Sequence, residues 1–172
     1  MKQLFAIRLA TVADAAAIAW HRARMFRDME LMPEPLFDSY RTLCQARLSE
    51  QLASGEYIGW LACPHELTDL TVAGAGVQLR RVLPHPVGET GGEIAIAEGR
   101  HAVVLNVFTE PDWRRRGLAS LLVKRIIAWA REECLDRLVL HASDEGRVVY
   151  ERLGFVQTNE MRFDLRADRP DR

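Results

Sequence analysis

The 172-residue sequence has little of what marks secreted, membrane or metal-binding proteins. Its cysteines, Cys44, Cys63 and Cys134, are scattered and form no CxxC pair, so we expect neither a disulfide framework nor a metal site. No stretch approaches the ~20 consecutive apolar residues of a membrane span, and the first residues lack the apolar run and cleavage site of a signal peptide. These absences predict a reduced, cytoplasmic protein without a membrane partner.

An excess of charge of one sign is also missing. The formal net charge is -1 and the pI is about 6.5, so the surface offers no basic field to nucleic acid. The hydrophobic fraction of 48% and the charged fraction of 27% are typical of a soluble globular chain. The length favours a single domain, which we place at residues 4–166, followed by a polar tail at residues 167–172.

Hydrophobic periodicity predicts elements in the order β-α-α-β-β-β-α-β-α-β. The predicted strands cover residues 4–9, 57–62, 70–83, 101–108, 138–141 and 155–165, and the predicted helices cover residues 12–29, 36–52, 117–133 and 145–153. A segment rich in glycine and proline, residues 84–99, is predicted to be a loop. The two strands joined through the third helix should pair in parallel, and the earlier strands suit antiparallel pairing. The expected fold class is therefore α/β, with a mixed sheet covered by helices on both faces.

The stretch EPDWRRRGLAS, residues 110–120, lies between a predicted strand and a predicted helix. Such a turn presents free backbone N–H groups and the positive end of the helix dipole, which together bind phosphate oxygens. Gly117 and Ala119 would leave the backbone accessible to a phosphate. Arginines at a helix start oppose the dipole unless an anion is present. This stretch alone leaves open a phosphate-binding turn and a solvated, arginine-rich helix start.

The segment RRRGLA at residues 114–119 resembles the Q/R-x-x-G-x-G/A signature of the GCN5-related N-acetyltransferase (GNAT) family. The segment YERLGF at residues 150–155 is similar to the YE+LGF ending of the same family, and the element order resembles the family over nearly the whole chain. The longer string HASDEGRVVYERLGF, with NVFT at residues 106–109 upstream, is similar to one bacterial branch. Three agreements in the right order are more specific than the glycine turn alone.

The resemblance implies a GNAT fold with a V-shaped split between the fourth and fifth strands, where the fourth strand carries a bulge. It implies acetyl-coenzyme A as the donor and a primary amine as the acceptor, joined by direct attack in a ternary complex. The pyrophosphate would lie on the amides of residues 115–119, the arginines would add charge, and the pantetheine arm would pair with the strand before the turn. The implied cofactor-binding residues are Val107, Phe108, Thr109, Arg114, Arg115, Arg116, Gly117, Leu118, Ala119, Ser120, Ser143 and Gly146.

Two of those residues depart from the family pattern. Many relatives have an asparagine where this chain has Ser143, and an alanine where it has Gly146. Ser143 can still form a hydrogen bond and can cap the following helix. A contact between these two positions and the cofactor is therefore an expectation that rests on the resemblance.

Direct attack requires no nucleophilic side chain, so the cysteines are expected to be packing residues. The resemblance implies that Tyr150 acts as general acid, or as hydrogen-bond donor, to the leaving thiolate, although its spacing alone is that of a core aromatic residue. A backbone N–H near Val107 or Phe108 would stabilise the oxyanion. The general base is left open: the candidates are Glu110, His141, Glu30, Glu34 and a chain of bound water, and each side chain also has an ordinary structural role.

The acceptor is only loosely constrained. Residues 21–36 and 84–99 are expected to shape its pocket, and a peptide N-terminus, a lysine, a polyamine and an antibiotic amine all stay open. A homodimer is also left open. The alternative function is a non-catalytic module of the same fold that binds acetyl-coenzyme A as a sensor or interaction domain.

Overall fold

A mixed β-sheet organises the chain. The computed structural model describes residues 4–88 and 92–163, apart from the side chain of Glu145. The strands are β1 (Phe5–Leu9), β2 (Tyr57–Pro64), β3 (Ala73–Arg81), β4 (His85–Val87), β5 (Ala95–Ala97), β6 (Arg100–Thr109) and β7 (Arg137–Leu140). The helices are α1 (Ala15–Asp28), α2 (Phe37–Ser54), α3 (Leu118–Glu132) and α4 (Asp144–Arg152). Short 3-10 turns occupy Val12–Asp14, Glu34–Leu36 and Pro111–Trp113.

The main sheet has the strand order β1-β2-β3-β6-β7. The first three pairings, β1 with β2, β2 with β3 and β3 with β6, are antiparallel, and β6 pairs with β7 in parallel. The parallel pair is joined through α3, because a parallel connection needs a crossover that a tight turn cannot provide. The predicted α/β class and mixed sheet are confirmed.

Helices cover both faces of this sheet. On one face, Leu118, Leu122 and Ile126 of α3 are buried in a cluster with Trp60. On the opposite face, Ile18 of α1 and Leu48 of α2 are buried with Leu61. Trp60 and Leu61 are neighbours in β2, and successive side chains of a strand point to opposite faces. Each face of β2 therefore belongs to a different apolar cluster, as the predicted two-sided packing requires.

Two local predictions need correction. Within the predicted loop 84–99, β4 pairs with β5 in a separate two-stranded sheet. Each of these strands has only three residues, which is too short for a periodic pattern to reveal, and Pro86 is tolerated because this small sheet consists of edge strands. Residues 89–91 of the predicted loop lie outside the described residues.

The predicted last strand, residues 155–165, forms no strand over residues 155–163, and its last two residues lie outside the described part, as does the predicted tail. The apolar side chains of Val156, Met161 and Phe163 in this segment are exposed and pack on no sheet of the described chain. A strand forms only where a neighbour satisfies its backbone hydrogen bonds, and this segment has none within the described residues. The domain limits at residues 4–166 remain a prediction.

Among residues 4–88 and 92–163, no helix combines the length and the apolar character of a membrane span.

Packing of α3 can be tested with a matched pair of leucines. Leu122 is fully buried, whereas Leu43 of α2 is 69% exposed. We expect Leu122→Ala to lower the free energy of unfolding by about 2–5 kcal/mol, because it leaves a cavity. Leu43→Ala should change it by less than about 0.5 kcal/mol. Urea unfolding followed by circular dichroism measures both, and equal effects would contradict this description of the core.

Candidate active site

Strand β6 carries a bulge near its carboxyl end. Gly74 of β3 lies opposite Phe108, but Gly76 lies opposite Leu105. One β3 residue therefore faces two residues of β6, Asn106 and Val107, and the register shifts there. Asn106 adopts a left-handed conformation with φ 57°, which asparagine tolerates better than most residues. The bulge predicted for this strand is present.

The same part of β6 has a free edge. Strand β7 pairs with β6 only from His101 to Val104, and β7 ends at Leu140. Within the described part of the chain, residues 105–109 of β6 consequently have no partner on the β7 side. An unpaired strand edge presents N–H and C=O groups that can bind an extended chain containing amides. The opening lies between the fourth and fifth predicted strands, where the split was expected.

Three polar side chains hold the bulge. Arg22 Nη1 donates a 2.6 Å hydrogen bond to Asn106 Oδ1, and Asn106 Nδ2 donates a 3.1 Å hydrogen bond to Tyr57 Oη. Burial raises the pKa of Tyr57 to about 12, so its hydroxyl stays protonated at physiological pH. A Cβ atom at Gly76 would lie 2.1 Å from Tyr57 Oη, so the ring fits only because this residue is glycine.

Glu110 follows β6 directly and faces α1. Its backbone N–H donates to the carbonyl of Val72. Its carboxylate accepts a 3.3 Å hydrogen bond from Trp20 Nε1, and Arg24 Nη1 lies 3.4 Å from Oε2. His21 Nε2 is 3.6 Å from Oε1. Helix α1 therefore surrounds this carboxylate with three polar side chains.

His21 is buried with 3% exposure, and its ring lies 5.1 Å from that of Phe108. Burial, and to a smaller extent the positive charge of Arg24, lowers the pKa of His21 from 6.5 to about 4. The imidazole is therefore neutral at physiological pH. Its Nδ1 atom has no hydrogen-bond partner within the described part of the chain.

The arginine-rich turn leaves helix α3 without a cap. Arg115 and Gly117 have left-handed conformations, with φ of 61° and 79°. The N–H groups of residues 115–120 donate to no acceptor among residues 4–88 and 92–163, and the first turn of α3 has no acidic residue. Apart from its chain neighbours, no described residue has an atom within 4 Å of a Cβ built at Gly117, so the space beside the turn is open. Such a helix start can accept an anion.

The three arginines of the turn have different surroundings. Arg114 forms an ion pair with Asp28 and donates from Nε to the carbonyl of Thr109 at 3.0 Å, so it ties the turn to α1. Arg116 lies 4.7 Å above the ring of Trp113 and donates to the carbonyl of Asp112 at 3.2 Å. Arg115 is exposed. The guanidinium groups of Arg115 and Arg116 are thus the more accessible cations at this helix start.

Helix α4 carries three further residues of the predicted site. Ser143 is its N-cap and accepts a 3.2 Å hydrogen bond from the Gly146 N–H. Tyr150 packs edge-on against Phe155, and burial raises the pKa of its phenol above the ordinary value of 10. A Cβ at Gly146 would lie 3.2 Å from Tyr150 Cε2, so the glycine leaves room for the ring.

The other candidate bases lie on the surface. His141 is 76% exposed and its Nε2 is 4.0 Å from a carboxylate oxygen of Glu160. Glu30 follows α1 in a left-handed conformation, and Glu34 pairs with Arg27 at 3.7 Å. Of the four candidate side chains, Glu110 is the one that the fold brings beside the bulged strand.

Comparison with known proteins identifies the family and supports the fold. The model of the "Acetyltransferase (GNAT) family" matches residues 18–155, from α1 to just beyond α4. The chain belongs to this acetyltransferase family. The family resemblance expected from the motifs is confirmed, and GNAT membership supports an acyltransferase, as the sequence predicted.

Individual relatives are more distant. The "Uncharacterized N-acetyltransferase YedL" of Escherichia coli (strain K12) is 31% identical over 55 residues, which are 32% of this chain and only about a third (35%) of YedL. The crystal structure of a GCN5-related N-acetyltransferase from Ralstonia eutropha JMP134 aligns with a TM-score of 0.80 and 25% identity, over 94% of this chain and 99% of that one. A predicted acetyltransferase with acetyl-CoA from Clostridium acetobutylicum has a TM-score of 0.76 and 23% identity, over 95% and 97% of the two chains, and shows the shared fold.

Several residues around the GNAT bulge escaped sequence reasoning. Asn106 could have been noticed, because an asparagine inside the β-like run HAVVLNVF is a known signal for a left-handed residue. Arg22 and Arg24 gave no such signal, since arginine on an amphipathic helix is ordinary. Their positions depend on how α1 crosses β6, which local periodicity does not contain.

The buried His21 should make stability depend on pH. Because its folded pKa of about 4 lies below the unfolded value of 6.5, its stabilising contribution is complete above pH 6.5 and is lost as the pH falls toward 4. As the pH falls from about 7 to 4, we expect the free energy of unfolding of the native protein to decrease by about 3 kcal/mol more than that of His21→Gln. Urea titrations at several pH values measure this difference. If the native protein and His21→Gln lose stability in parallel as the pH falls, the pKa of His21 is not lowered by folding.

Proposed function

We propose that this GNAT chain is an N-acetyltransferase that transfers the acetyl group of acetyl-coenzyme A directly to a primary amine in a ternary complex. One observation carries the proposal: the free edge of bulged β6 leads into a helix start whose N–H groups are unoccupied within the described chain. An extended, amide-bearing arm that ends in phosphates would complement both features.

The residues present fit such a donor. The pyrophosphate would be bound by the N–H groups of residues 115–119 near Ser120, and the guanidinium groups of Arg115 and Arg116 would balance its charge. The exposed backbone of Val107, Phe108 and Thr109 would pair with the pantetheine arm. The neighbour from Clostridium acetobutylicum was solved with acetyl-CoA, which supports the same use of this fold. When bound, the donor supplies an activated acetyl thioester.

Further contacts are proposed for Leu118, Ala119, Arg114, Ser143 and Gly146. The small side chain of Ala119 would leave the backbone accessible to the donor. Leu118 anchors the helix start by burying its side chain in the core. Arg114 would act mainly by holding the turn against α1, because its charge is already paired with Asp28. Ser143 and Gly146, at the start of α4, would bound the donor on the other side of the opening.

Backbone and side-chain donors would stabilise the reacting groups. In a bulge, backbone N–H groups leave the regular ladder, so an N–H of Val107 or Phe108 is the proposed donor to the oxygen of the acetyl carbonyl. The phenol of Tyr150 remains protonated because burial raises its pKa. It is the proposed acid that gives a proton to the departing thiolate.

Glu110 is the proposed general base. Its carboxylate lies at the end of β6, and Trp20 and His21 restrict its orientation. Because the pKa of His21 is about 4, this neighbour is neutral and has a single N–H that can donate a hydrogen bond. The carboxylate could remove the amine proton itself or through one water molecule. His141 is too exposed to be favoured for this role.

A cytoplasmic location is part of the proposal, since Cys44, Cys63 and Cys134 are all free thiols, as a reducing compartment favours. The homodimer stays a prediction.

Donor binding can be tested by a substitution whose effects on folding and binding have opposite signs. A carboxylate at Ser120, the third residue of α3, should favour the helix by about 0.3–1 kcal/mol through the dipole. It should repel a diphosphate, so we expect Ser120→Glu to weaken coenzyme A binding about tenfold or more relative to the neutral control Ser120→Gln. Calorimetric titration and thermal unfolding measure the two effects. Equal affinities would place the diphosphate elsewhere.

Catalysis can be tested with a panel of primary amines and acetyl-coenzyme A, followed by release of free thiol. We expect Tyr150→Phe and Glu110→Gln each to lower kcat by about 100-fold, because each removes a proton-transfer group. Val148→Ala, an exposed position on the same helix as Tyr150, is the control and should keep the native rate. Full activity of Tyr150→Phe would remove its role as acid. Tight coenzyme A binding without thiol release from any amine would instead indicate a non-catalytic binding module.

A further inference from the structure

Arg22 differs from the other arginines of helix α1. Arg24 lies 3.4 Å from a carboxylate oxygen of Glu110, and Arg27 lies 3.7 Å from one of Glu34. Within residues 4–88 and 92–163, Arg22 contacts no carboxylate. Its hydrogen bonds go to neutral oxygens, from Nη1 to Asn106 Oδ1 at 2.6 Å and from Nε to Tyr40 Oη at 2.9 Å.

The aromatic groups that pack around Arg22 are uncharged as well. The side chain is half-buried, its guanidinium lies 5.0 Å from the centre of the Phe26 ring, and Phe26 packs edge-on against Tyr40. Burial raises the pKa of Tyr40 to about 12, so this partner is an uncharged hydroxyl. A guanidinium has five N–H donors, and only two are used by the contacts described above. A partly desolvated cation with only neutral partners is costly, and an anion would relieve that cost.

Arg22 lies close to the residues that are proposed to take part in the reaction. Its partner Asn106 forms the bulge, and Phe108, a proposed oxyanion donor, follows two residues later, at most about 7 Å along an extended strand. Glu110, the proposed base, lies beyond Phe108 on the same side as α1. A short aliphatic amine with its nitrogen near the bulge could therefore place a second group at Arg22.

We infer that Arg22 binds an oxyanion, a carboxylate or a phosphate, of the acceptor, so that the acceptor is a small amine with an anionic group. This inference rests on the proposed acetyltransferase function and names the substrate class for the same site. The planar guanidinium suits two parallel hydrogen bonds to an oxyanion, and the rings of Phe26 and Tyr40 flank it. The anionic group is bound and is not changed by the reaction.

A purely structural role would have a different signature. If Arg22 only holds Asn106 and the bulge, its loss should lower the rate with every acceptor alike. If it binds the anionic group, its loss should raise KM selectively for anionic acceptors. The two roles are therefore separated by comparing matched acceptors in one variant.

The first experiment measures kcat/KM for glycine, β-alanine and 4-aminobutyrate against their primary amides, and for phosphoethanolamine against ethanolamine. Charged hydrogen bonds of this kind make the anionic member of the preferred pair better by about 10- to 100-fold. Arg22→Gln should abolish that preference through KM. Arg47→Gln, which removes an exposed α2 charge paired with Glu50 at 3.2 Å, should keep it. The carboxylate and phosphate pairs show which oxyanion is preferred. Equal rates for charged and neutral members in the native protein would overturn the inference.

A second experiment needs no turnover. Calorimetry of the coenzyme A complex with N-acetyl-β-alanine, 4-acetamidobutyrate and acetylphosphoethanolamine, each against its uncharged analogue, measures anion binding directly. We expect at least one anionic ligand to bind about tenfold or more tightly, and Arg22→Gln to lose this difference while Arg47→Gln retains it. No preference for the anionic ligands would overturn the inference. If this preference is found but no amine is acetylated, the anion site stands and the proposed acetyl transfer fails.

Discussion

The left-handed residue Asn106 is the constraint on which the rest of the site depends. A residue with φ 57° within a strand is unfavourable by itself, so the surrounding structure must hold it there. Arg22 and Tyr57 do so through hydrogen bonds to the two polar atoms of its side-chain amide. Tyr57 reaches Asn106 because Gly76 leaves space for the phenol. Three separate parts of the chain, α1, β2 and β3, therefore support one backbone conformation in β6.

The bulge and the end of β7 together create the opening in the sheet. Pairing of β6 with β7 stops at Val104 and Leu140, and the bulge follows within two residues on the other side of β6. The free edge then leads, through Glu110 and a 3-10 turn, to the uncapped start of α3. Burial of Leu118, Leu122 and Ile126 fixes α3 against the sheet, so the open N–H groups are held beside the open strand edge. Core packing thus determines where both polar features lie.

Helix α1 contributes a second, independent set of groups. Trp20, His21 and Arg24 face Glu110, whereas Arg22 faces Asn106, four residues earlier in the chain. The neutral imidazole of His21 packs against Phe108 between these two regions. One helix therefore supports the proposed base on one side of Phe108, and on the other side it presents a cation that contacts no carboxylate among the described residues. The proposed acceptor site would therefore have a carboxylate at one end and a cation at the other.

Local sequence was enough for the elements that carry strong periodicity or a specific motif. The β-like run of β6 predicted a strand, the RRRGLA segment a turn and the amphipathic pattern of α3 a helix, in the right order. Each of these signals depends on neighbours within a few residues. The pairing of β4 with β5 was missed because three-residue strands show no periodic pattern. A strand was expected at residues 155–165, but residues 155–163 pair with no sheet edge among the described residues. By itself the sequence determined the fold class, the family resemblance and the place of the helix start. Only the tertiary structure decided that Arg22 meets Asn106 and that Glu110 meets His21, because those contacts join residues more than eighty positions apart and depend on how α1 packs across the sheet.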